Sequence, residues 1–334
     1  MSKTKIAING FGRIGRQFFK IAFEKEELEI VAINDLADIN NLAYLLKFDS
    51  VYGEYDKKVD VKEGNLIVNG KKIKYLSKKN PGDLPWKEME IDVVVESTGF
   101  FTSYEKAKPH LEAGAKRVVI SAGTKDNKTP VCTPNLNEEE AKEEKISSNA
   151  SCTTNAVTPV AAVMLENLGI EYSMLNTIHG YTSSQNLVDG PGGDFRRGRA
   201  GALNITPTST GSAVYTQKVI SEMKEKFDGI AMRVPIPAGS ILDFTFLSKK
   251  ETSVEEVNNI LKKESKKEEW KGILEVTEEP IVSSDIVKKP YGSLVDLDFT
   301  RVVGGKLVKI LSWYDNEWGY ASMLARHVIN VTRK

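Results

Sequence analysis

Gly10, Gly12 and Gly15 follow directly on the short apolar run Lys5 to Asn9, and Ile14, Phe18, Ile21 and Ala22 continue at helical spacing. A strand, a glycine turn and a helix in that order leave few folds open. At G-x-G-x-x-G spacing the first glycine permits a tight turn, the second lets backbone approach a pyrophosphate, and the third lets helix pack on strand. The helix N-terminus then faces the phosphates. A second apolar run, Leu28 to Asn34, ends in Asp35, twenty residues beyond Gly15. A carboxylate there accepts hydrogen bonds from adenosine ribose hydroxyls and repels a 2′-phosphate, so the unit predicts a Rossmann-type domain that takes NAD in preference to NADP.

Ile91 to Glu96, Arg117 to Ser121 and Lys145 to Ser148 read as further strands of a mostly parallel sheet, parted by helical or loop segments. Ser97-Thr98-Gly99 and Ser121-Ala122-Gly123 then lie along the carboxyl edge, where open α/β sheets bind ligands. Beyond Cys152 the pattern changes, and Tyr172 to Ile178, Gly229 to Pro235, Ser240 to Leu247 and Leu294 to Val303 read as strands with fewer helices between them. The expected class is α/β: a Rossmann-type, mostly parallel domain over 1–150, an α+β catalytic domain over 151–316, and a C-terminal helix over 317–334 that returns to the first domain. That helix shows Ala321, Leu324, Val328 and Ile329 on one face. Asp189 to Ala202 reads as a long loop holding Arg196, Arg197 and Arg199, and the charged run Lys262 to Lys271 as a solvated helix face.

The 334 residues are 40% hydrophobic with zero net formal charge, which allows two cores and gives no overall basic balance for nucleic acid or an anionic membrane. Cys132 and Cys152 lack paired spacing, and with His110, His179 and His327 they form no recognisable metal site. The N-terminal stretch shows no signal-peptide core and no run reaches membrane-spanning length, so the expectation is a cytoplasmic protein.

Ser151-Cys152-Thr153-Thr154-Asn155 precedes Val157, Val160, Ala161, Met164, Leu165 and Leu168, the stripe of a buried helix. The hydroxyls read as caps, and a thiol at that helix start meets unpaired N–H groups and the positive end of the dipole, which lower its pKa. Cys152 is therefore the candidate nucleophile. It needs a partner that moves protons near neutrality, and His179, closing an apolar strand, is the candidate base, whereas His110 and His327 read as surface or packing residues. A nicotinamide site joined to an activated cysteine implies oxidation of an aldehyde through a thiohemiacetal and a thioester. Arg233 and the 196–199 cluster, with Thr182, Thr210 and Gly211, supply donors for phosphate.

Four stretches carry a resemblance along essentially the entire chain: N-G-F-G-R-I-G-R at Asn9 to Arg16, S-N-A-S-C-T-T-N at Ser148 to Asn155, H-G-Y-T-S-S-Q at His179 to Gln185, and W-Y-D-N-E-W-G-Y at Trp313 to Tyr320. They resemble the phosphorylating glyceraldehyde-3-phosphate dehydrogenase family. The resemblance implies Cys152 as nucleophile and His179 as base, with Gly10, Gly12, Arg13, Ile14, Asp35, Ser121 and Asn316 contacting NAD, the last at the nicotinamide amide. It implies that Ser151, Thr153, Thr210 and Gly211 hold attacking inorganic phosphate. Thr182 and Arg233, with one arginine of the 196–199 cluster (Arg196, Arg197 or Arg199), would hold the phosphate of glyceraldehyde 3-phosphate. A homotetramer acting in glycolysis or gluconeogenesis is implied as well.

The chain departs from the family pattern at Ala156, where many members have a second cysteine, at Gly123, and at Ala238-Gly239-Ser240, where Asn-Val-Ser is usual. Gly190-Pro191 lies in a loop that helps set cofactor choice in the family, so the preference for NAD rests on Asp35. The rival readings are erythrose-4-phosphate dehydrogenase, a hydrolysing sister that tends to lose the Thr182 and Thr208-Ser209-Thr210-Gly211 features, and an added RNA-binding role, for which the neutral charge provides no electrostatic footprint.

Overall fold

A computed structural model describes residues 3–333; Met1, Ser2 and Lys334, at the outer limits of the expected domains, lie outside the described residues. The chain divides into two compact units, Met1–Cys132 with Asn137–Ala150 and Leu324–Lys334, and Ser151–Met323 with Thr133–Leu136. The last division falls inside the final helix.

The first unit runs β1 (Thr4–Asn9), α1 (Arg13–Ala22), β2 (Leu28–Asn34), α2 (Ile39–Lys47), the short pair β3 (Phe48–Asp49) and β4 (Gly53–Glu54), β5 (Val59–Lys62), β6 (Asn65–Val68) and β7 (Lys71–Leu76). It continues with β8 (Val93–Glu96), α3 (Tyr104–Ala107), α4 (Pro109–Glu112), β9 (Arg117–Ile120), α5 (Glu138–Glu143) and β10 (Ile146–Ser148). The sheet order is β10-β9-β8-β1-β2-β7-β6-β5. From β10 to β7 all neighbours are parallel, and β6 and β5 extend the edge antiparallel. β8 is buried along its whole length, as a strand covered on both faces must be, which explains its unbroken Val-Val-Val run. Ile91, Val94, Val118 and Ile146 pack with Trp86 in one core. The β5–β7 meander lies outside the strands the sequence suggests because its strands are only four to six residues long, and β5 and β7 are interrupted by charged, exposed positions.

The second unit comprises α6 (Cys152–Asn167), β11 (Ile170–Gly180), β12 (Thr206–Ser209), α7 (Ser212–Val219), β13 (Phe227–Val234), β14 (Ser240–Ser248), α8 (Val254–Glu264), β15 (Leu274–Thr277), β16 (Ser293–Val303) and β17 (Leu307–Tyr314), and then α9 (Trp318–Asn330) begins. Its mixed sheet has the order β12-β13-β11-β14-β17-β16-β15. On β11 Ser173, Leu175, Thr177 and His179 turn inward, while Tyr172 and Met174 face out. α6 packs on this sheet and also against α7 and α8. It is consequently buried nearly all round, Thr153, Thr154, Asn155 and Thr158 included, rather than along the single stripe its apolar spacing predicts. The charged run after Lys262 is not one helix face: α8 stops at Glu264, which is itself buried, and a 3₁₀ turn at Glu268–Trp270 buries Trp270.

Candidate active site

At the carboxyl edge of the first sheet the three glycines do different work. Gly10 holds φ at +92°, and a Cβ there would lie 2.6 Å from the Thr98 nitrogen; a Cβ on Gly15 would lie 2.2 Å from the Gly10 carbonyl. A Cβ on Gly12 would meet nothing within 4 Å. The start of α1 has no side-chain cap, and a helix N-terminus beside that open position suits a pyrophosphate. Asp35 accepts from Phe11 N at 2.7 Å and from Ala37 N at 2.9 Å, one bond per carboxylate oxygen. Each oxygen keeps a lone pair for a ribose hydroxyl. Arg13 is steered by Asp49 at 2.8 Å and by the Tyr52 ring.

Behind this edge lies a buried polar network. Glu96 accepts from Asn9 Nδ2 (2.5 Å) and from the backbone and hydroxyl of Thr98 (2.8 and 2.5 Å), and it faces His110 Nε2 at 3.1 Å. Trp86 Nε1 donates to His110 Nδ1 at 3.0 Å, so the neutral ring carries its proton on Nε2 and donates it to Glu96. His110 is fully buried, not at the surface. Ser97 fixes the Gly10 turn by donating to the Gly10 carbonyl at 2.7 Å.

In the second unit the strand register builds the site. Thr206 lies opposite Arg233, Arg233 opposite His179, His179 opposite Ser240, and Ser240 opposite Tyr314, a row crossing β12, β13, β11, β14 and β17. Ser151 caps α6 by accepting from Thr154 N at 3.1 Å, which fixes Cys152 as the first residue of that helix. Cys152 Sγ reaches His179 Nε2 at 3.3 Å. His179 Nδ1 lies 2.7 Å from the Gly180 carbonyl and 2.8 Å from an Arg233 guanidinium nitrogen, which also donates to that carbonyl at 3.0 Å. Either tautomer therefore has a partner at Nδ1: the carbonyl for N–H, the guanidinium for the bare nitrogen. Nε2 is free to take a proton from sulfur or to present one to it.

Burial raises the Cys152 thiol above its ordinary 9.0, although Arg233, Thr153 and the N–H groups at the helix start all pull it down. The sequence predicts a net lowering; the packing around the sulfur outweighs the helix terminus. Burial and then the Arg233 charge push the His179 imidazole down to about 3. Taken singly, these shifts leave the proton on sulfur. Passing it to Nε2 creates an ion pair at 3.3 Å, whose attraction is worth about 5 kcal/mol at an effective dielectric near 20. The pair consequently titrates as a unit, and the Arg233 charge beside it favours the thiolate while it disfavours the imidazolium.

Two family models cover the chain, "Glyceraldehyde 3-phosphate dehydrogenase, NAD binding domain" over residues 4–104 and "Glyceraldehyde 3-phosphate dehydrogenase, C-terminal domain" over 151–316. The chain belongs to the glyceraldehyde-3-phosphate dehydrogenase family. Proteins of that name from Borreliella burgdorferi and Clostridium pasteurianum are each 49% identical to it, over 95% and 97% of this chain and 96% and 97% of their own lengths. The Geobacillus stearothermophilus protein is 48% identical over 95% of both chains. This family member is an NAD-dependent oxidoreductase.

The dehydrogenase site brings some predicted residues together and leaves others apart. Ser151 Oγ meets Thr154 Oγ1 at 2.7 Å, which meets Ser212 Oγ at 3.1 Å, and Thr210 accepts from Ser212 N. The starts of α6 and α7 are thereby laced together, with Gly211 capping α7. Thr153 is buried, and its hydroxyl is committed to Tyr314 at 2.9 Å, so its backbone N–H is what it offers an anion. Thr182 bonds Ser184 at 2.9 Å. Arg196 and Arg199 lie elsewhere than expected: Arg196 is exposed, and Arg199 pairs with Asp189 at 2.7 Å on the surface. Arg197 instead reaches β12, donating to Thr208 Oγ1 at 2.9 Å, near enough for its charge to bear on Arg233. No local signal separates Arg197 from its neighbours, because the choice depends on where β12 pairs. Tyr314, within the W-Y-D-N-E-W-G-Y stretch, binds both Thr153 and Thr177, a bridging place that no local feature of that stretch signals.

Proposed function

We propose that this chain oxidises D-glyceraldehyde 3-phosphate with NAD and inorganic phosphate to 1,3-bisphosphoglycerate. The observation that carries this is Arg233: its Nε is buried without a hydrogen-bond partner, and no carboxylate among the described residues offsets its charge. A largely buried guanidinium beside a nucleophile calls for an anion supplied by the substrate. The names of the relatives support the three-carbon substrate rather than the four-carbon sister's.

On this reading Cys152 sulfur attacks the aldehyde carbon, and His179 Nε2 takes the hydroxyl proton of the thiohemiacetal as its C–H hydride departs. NAD, when bound, accepts that hydride. Asp35 and the uncapped start of α1 hold the adenosine ribose and pyrophosphate, and Arg13, Ile14, Ser121 and Asn316 complete the contacts. Substrate phosphate pairs with Arg233, Arg197 and Thr182. Such a dianion offsets the charge that depresses His179, so the base strengthens when substrate arrives. Inorganic phosphate, held by Ser151, Thr210, Gly211 and the Thr153 N–H, attacks the thioester carbonyl, and Cys152 leaves as thiolate.

The first unit is the NAD-binding domain and the second the catalytic domain. Phe195 on the long loop and Leu187, Leu203 and Ile205 flanking it, with Tyr172 and Met174 on the sheet, are exposed apolar side chains that favour self-association, which supports a homotetramer. No helix among the described residues is long and apolar enough to cross a membrane. A cytoplasmic place in glycolysis or gluconeogenesis fits a reversible reaction of this kind.

The test is NADH formation with glyceraldehyde 3-phosphate, with and without inorganic phosphate, beside erythrose 4-phosphate. Phosphate-dependent turnover of the three-carbon aldehyde is expected. Faster, phosphate-independent turnover of the four-carbon sugar would replace the assignment with a hydrolysing one.

A further inference from the structure

Ser240 stands in the middle of the cross-sheet row, between His179 and Tyr314. It is 1% exposed, and its hydroxyl has two partners. Gly180 N–H donates to Ser240 Oγ at 3.3 Å, and Ser240 Oγ–H donates to Asn316 Oδ1 at 3.1 Å. A serine hydroxyl carries one hydrogen, and a carboxamide oxygen is acceptor only. Were the Asn316 amide reversed, its NH₂ would face an oxygen already accepting from Gly180, and the Ser240 hydrogen would lose its acceptor. Asn316 is 4% exposed, so an orphaned hydrogen there costs more than it would in water. The backbone that holds Ser240 is equally committed. Gly239 sits at φ +87°, with its Cβ position 2.5 Å from the Ser283 carbonyl, and a Cβ on Gly180 would lie 2.9 Å from the Ile236 carbonyl.

We infer that Ser240 is a positioning residue: it fixes the orientation of the Asn316 amide so that the NH₂ of Asn316 is presented as a donor to the carboxamide oxygen of nicotinamide. No protein acceptor among the described residues takes that NH₂. The same Gly180 whose N–H is spent on Ser240 offers its carbonyl to His179 Nδ1 and Arg233. One residue therefore joins the orientation of the base to the orientation of the cofactor's holder. The inference rests on the reading that Asn316 binds the nicotinamide amide, and it assigns Ser240 no contact with substrate.

The experiment titrates full-length protein with NAD and with ADP-ribose, which lacks the nicotinamide ring, for the wild type and for Ser240→Ala, Ser240→Cys, Asn316→Ala and the Ser240→Ala/Asn316→Ala pair. Ser240→Ala should weaken NAD roughly three- to tenfold, the scale of one directed hydrogen bond, and leave ADP-ribose binding unchanged. Ser240→Cys, retaining a weak donor, should fall between. In the Asn316→Ala background Ser240→Ala should add nothing, since coupled residues are not additive. Equal weakening of NAD and ADP-ribose would make Ser240 a purely structural residue and overturn the inference. Unchanged NAD affinity in Ser240→Ala, with weakening in Asn316→Ala, would overturn it while sparing the reading of Asn316. No effect of Asn316→Ala would remove that reading and the inference together. Should Ser240→Ala fail to fold, Ser240→Cys carries the same comparison.

Discussion

Cys152 and Cys132 each lie beside a histidine, and only one is built to react. Cys152 Sγ faces a single ring nitrogen at 3.3 Å. Cys132 Sγ lies 3.4 and 3.5 Å from the two nitrogens of His327, aimed at neither lone pair. Those nitrogens are already engaged: Ser147 Oγ meets Nε2 at 2.9 Å, and Asn149 Oδ1 meets Nδ1 at 3.2 Å. Asn149 Oδ1 takes the Nδ1 proton, and the Ser147 hydroxyl donates to Nε2, so no base remains for the sulfur. Around Cys132, burial and then Glu138 and Glu140 all push the thiol up, well above 9.0. Around Cys152, burial is opposed by Arg233 and by N–H groups at the start of α6. Distance to an imidazole therefore says little; a free lone pair, a nearby cation and a path to solvent decide whether a thiol is a nucleophile.

The sharpest break of this contrast is deletion of each sulfur. Cys152→Ser should lose turnover by about 10³-fold or more while still binding NAD, whereas Cys132→Ala should keep turnover within about twofold. Alkylation with iodoacetamide, followed by peptide mapping of the native protein, should mark Cys152 and spare Cys132. Full activity in Cys152→Ser, or lost activity in Cys132→Ala, would abolish the distinction.

Next come the histidines. His179→Asn should slow turnover by about 10²-fold or more. It should also move the alkylation pH profile of Cys152 upward, because without the imidazole the burial that lifts the thiol acts with less opposition. An unchanged profile would mean that the Sγ–Nε2 contact carries no proton. Among the arginines, Arg197→Ala should raise KM for the phosphorylated aldehyde about tenfold, and Arg196→Ala or Arg199→Ala less than about twofold. Equal effects would show that the loop rearranges when substrate binds.

The smallest effect is on stability. Burial holds the His327 imidazole down to about 3, against an ordinary value of 6.5. Between those values the unfolded chain binds a proton that the folded chain refuses. The stability due to a neutral His327 is thus complete above pH 6.5 and is lost as pH falls through the window toward 3. His327→Leu should flatten the acid limb by about 1.4 kcal/mol per pH unit there, measured as urea unfolding at several pH values. A limb of unaltered slope would mean that His327 titrates normally in the fold.

Legibility in the sequence follows the range of the interactions. Gly10, Gly12, Gly15 and Asp35 act within one strand–helix–strand unit, and a close approach such as Gly15 on the Gly10 carbonyl is set within six residues. The Ser151 cap is equally local, bonding Thr154 three residues on. His110 and His327 read as surface or packing residues and are both packed inside; helical spacing does not choose between the two, because it does not reveal that Trp86 and Glu96 converge on His110, and Ser147 and Asn149 on His327.

By itself the sequence determined a dinucleotide fold, a helix beginning at a cysteine, and a histidine near a strand end, because turns, caps and periodicity are short-range. Only the tertiary structure decided that Thr206, Arg233, His179, Ser240 and Tyr314 form one row, that Arg197 rather than Arg196 or Arg199 turns toward it, and that burial lifts the thiol. Register between strands far apart in the chain is fixed by hydrogen bonds that no local propensity encodes, and the desolvation of a charge depends on everything packed around it.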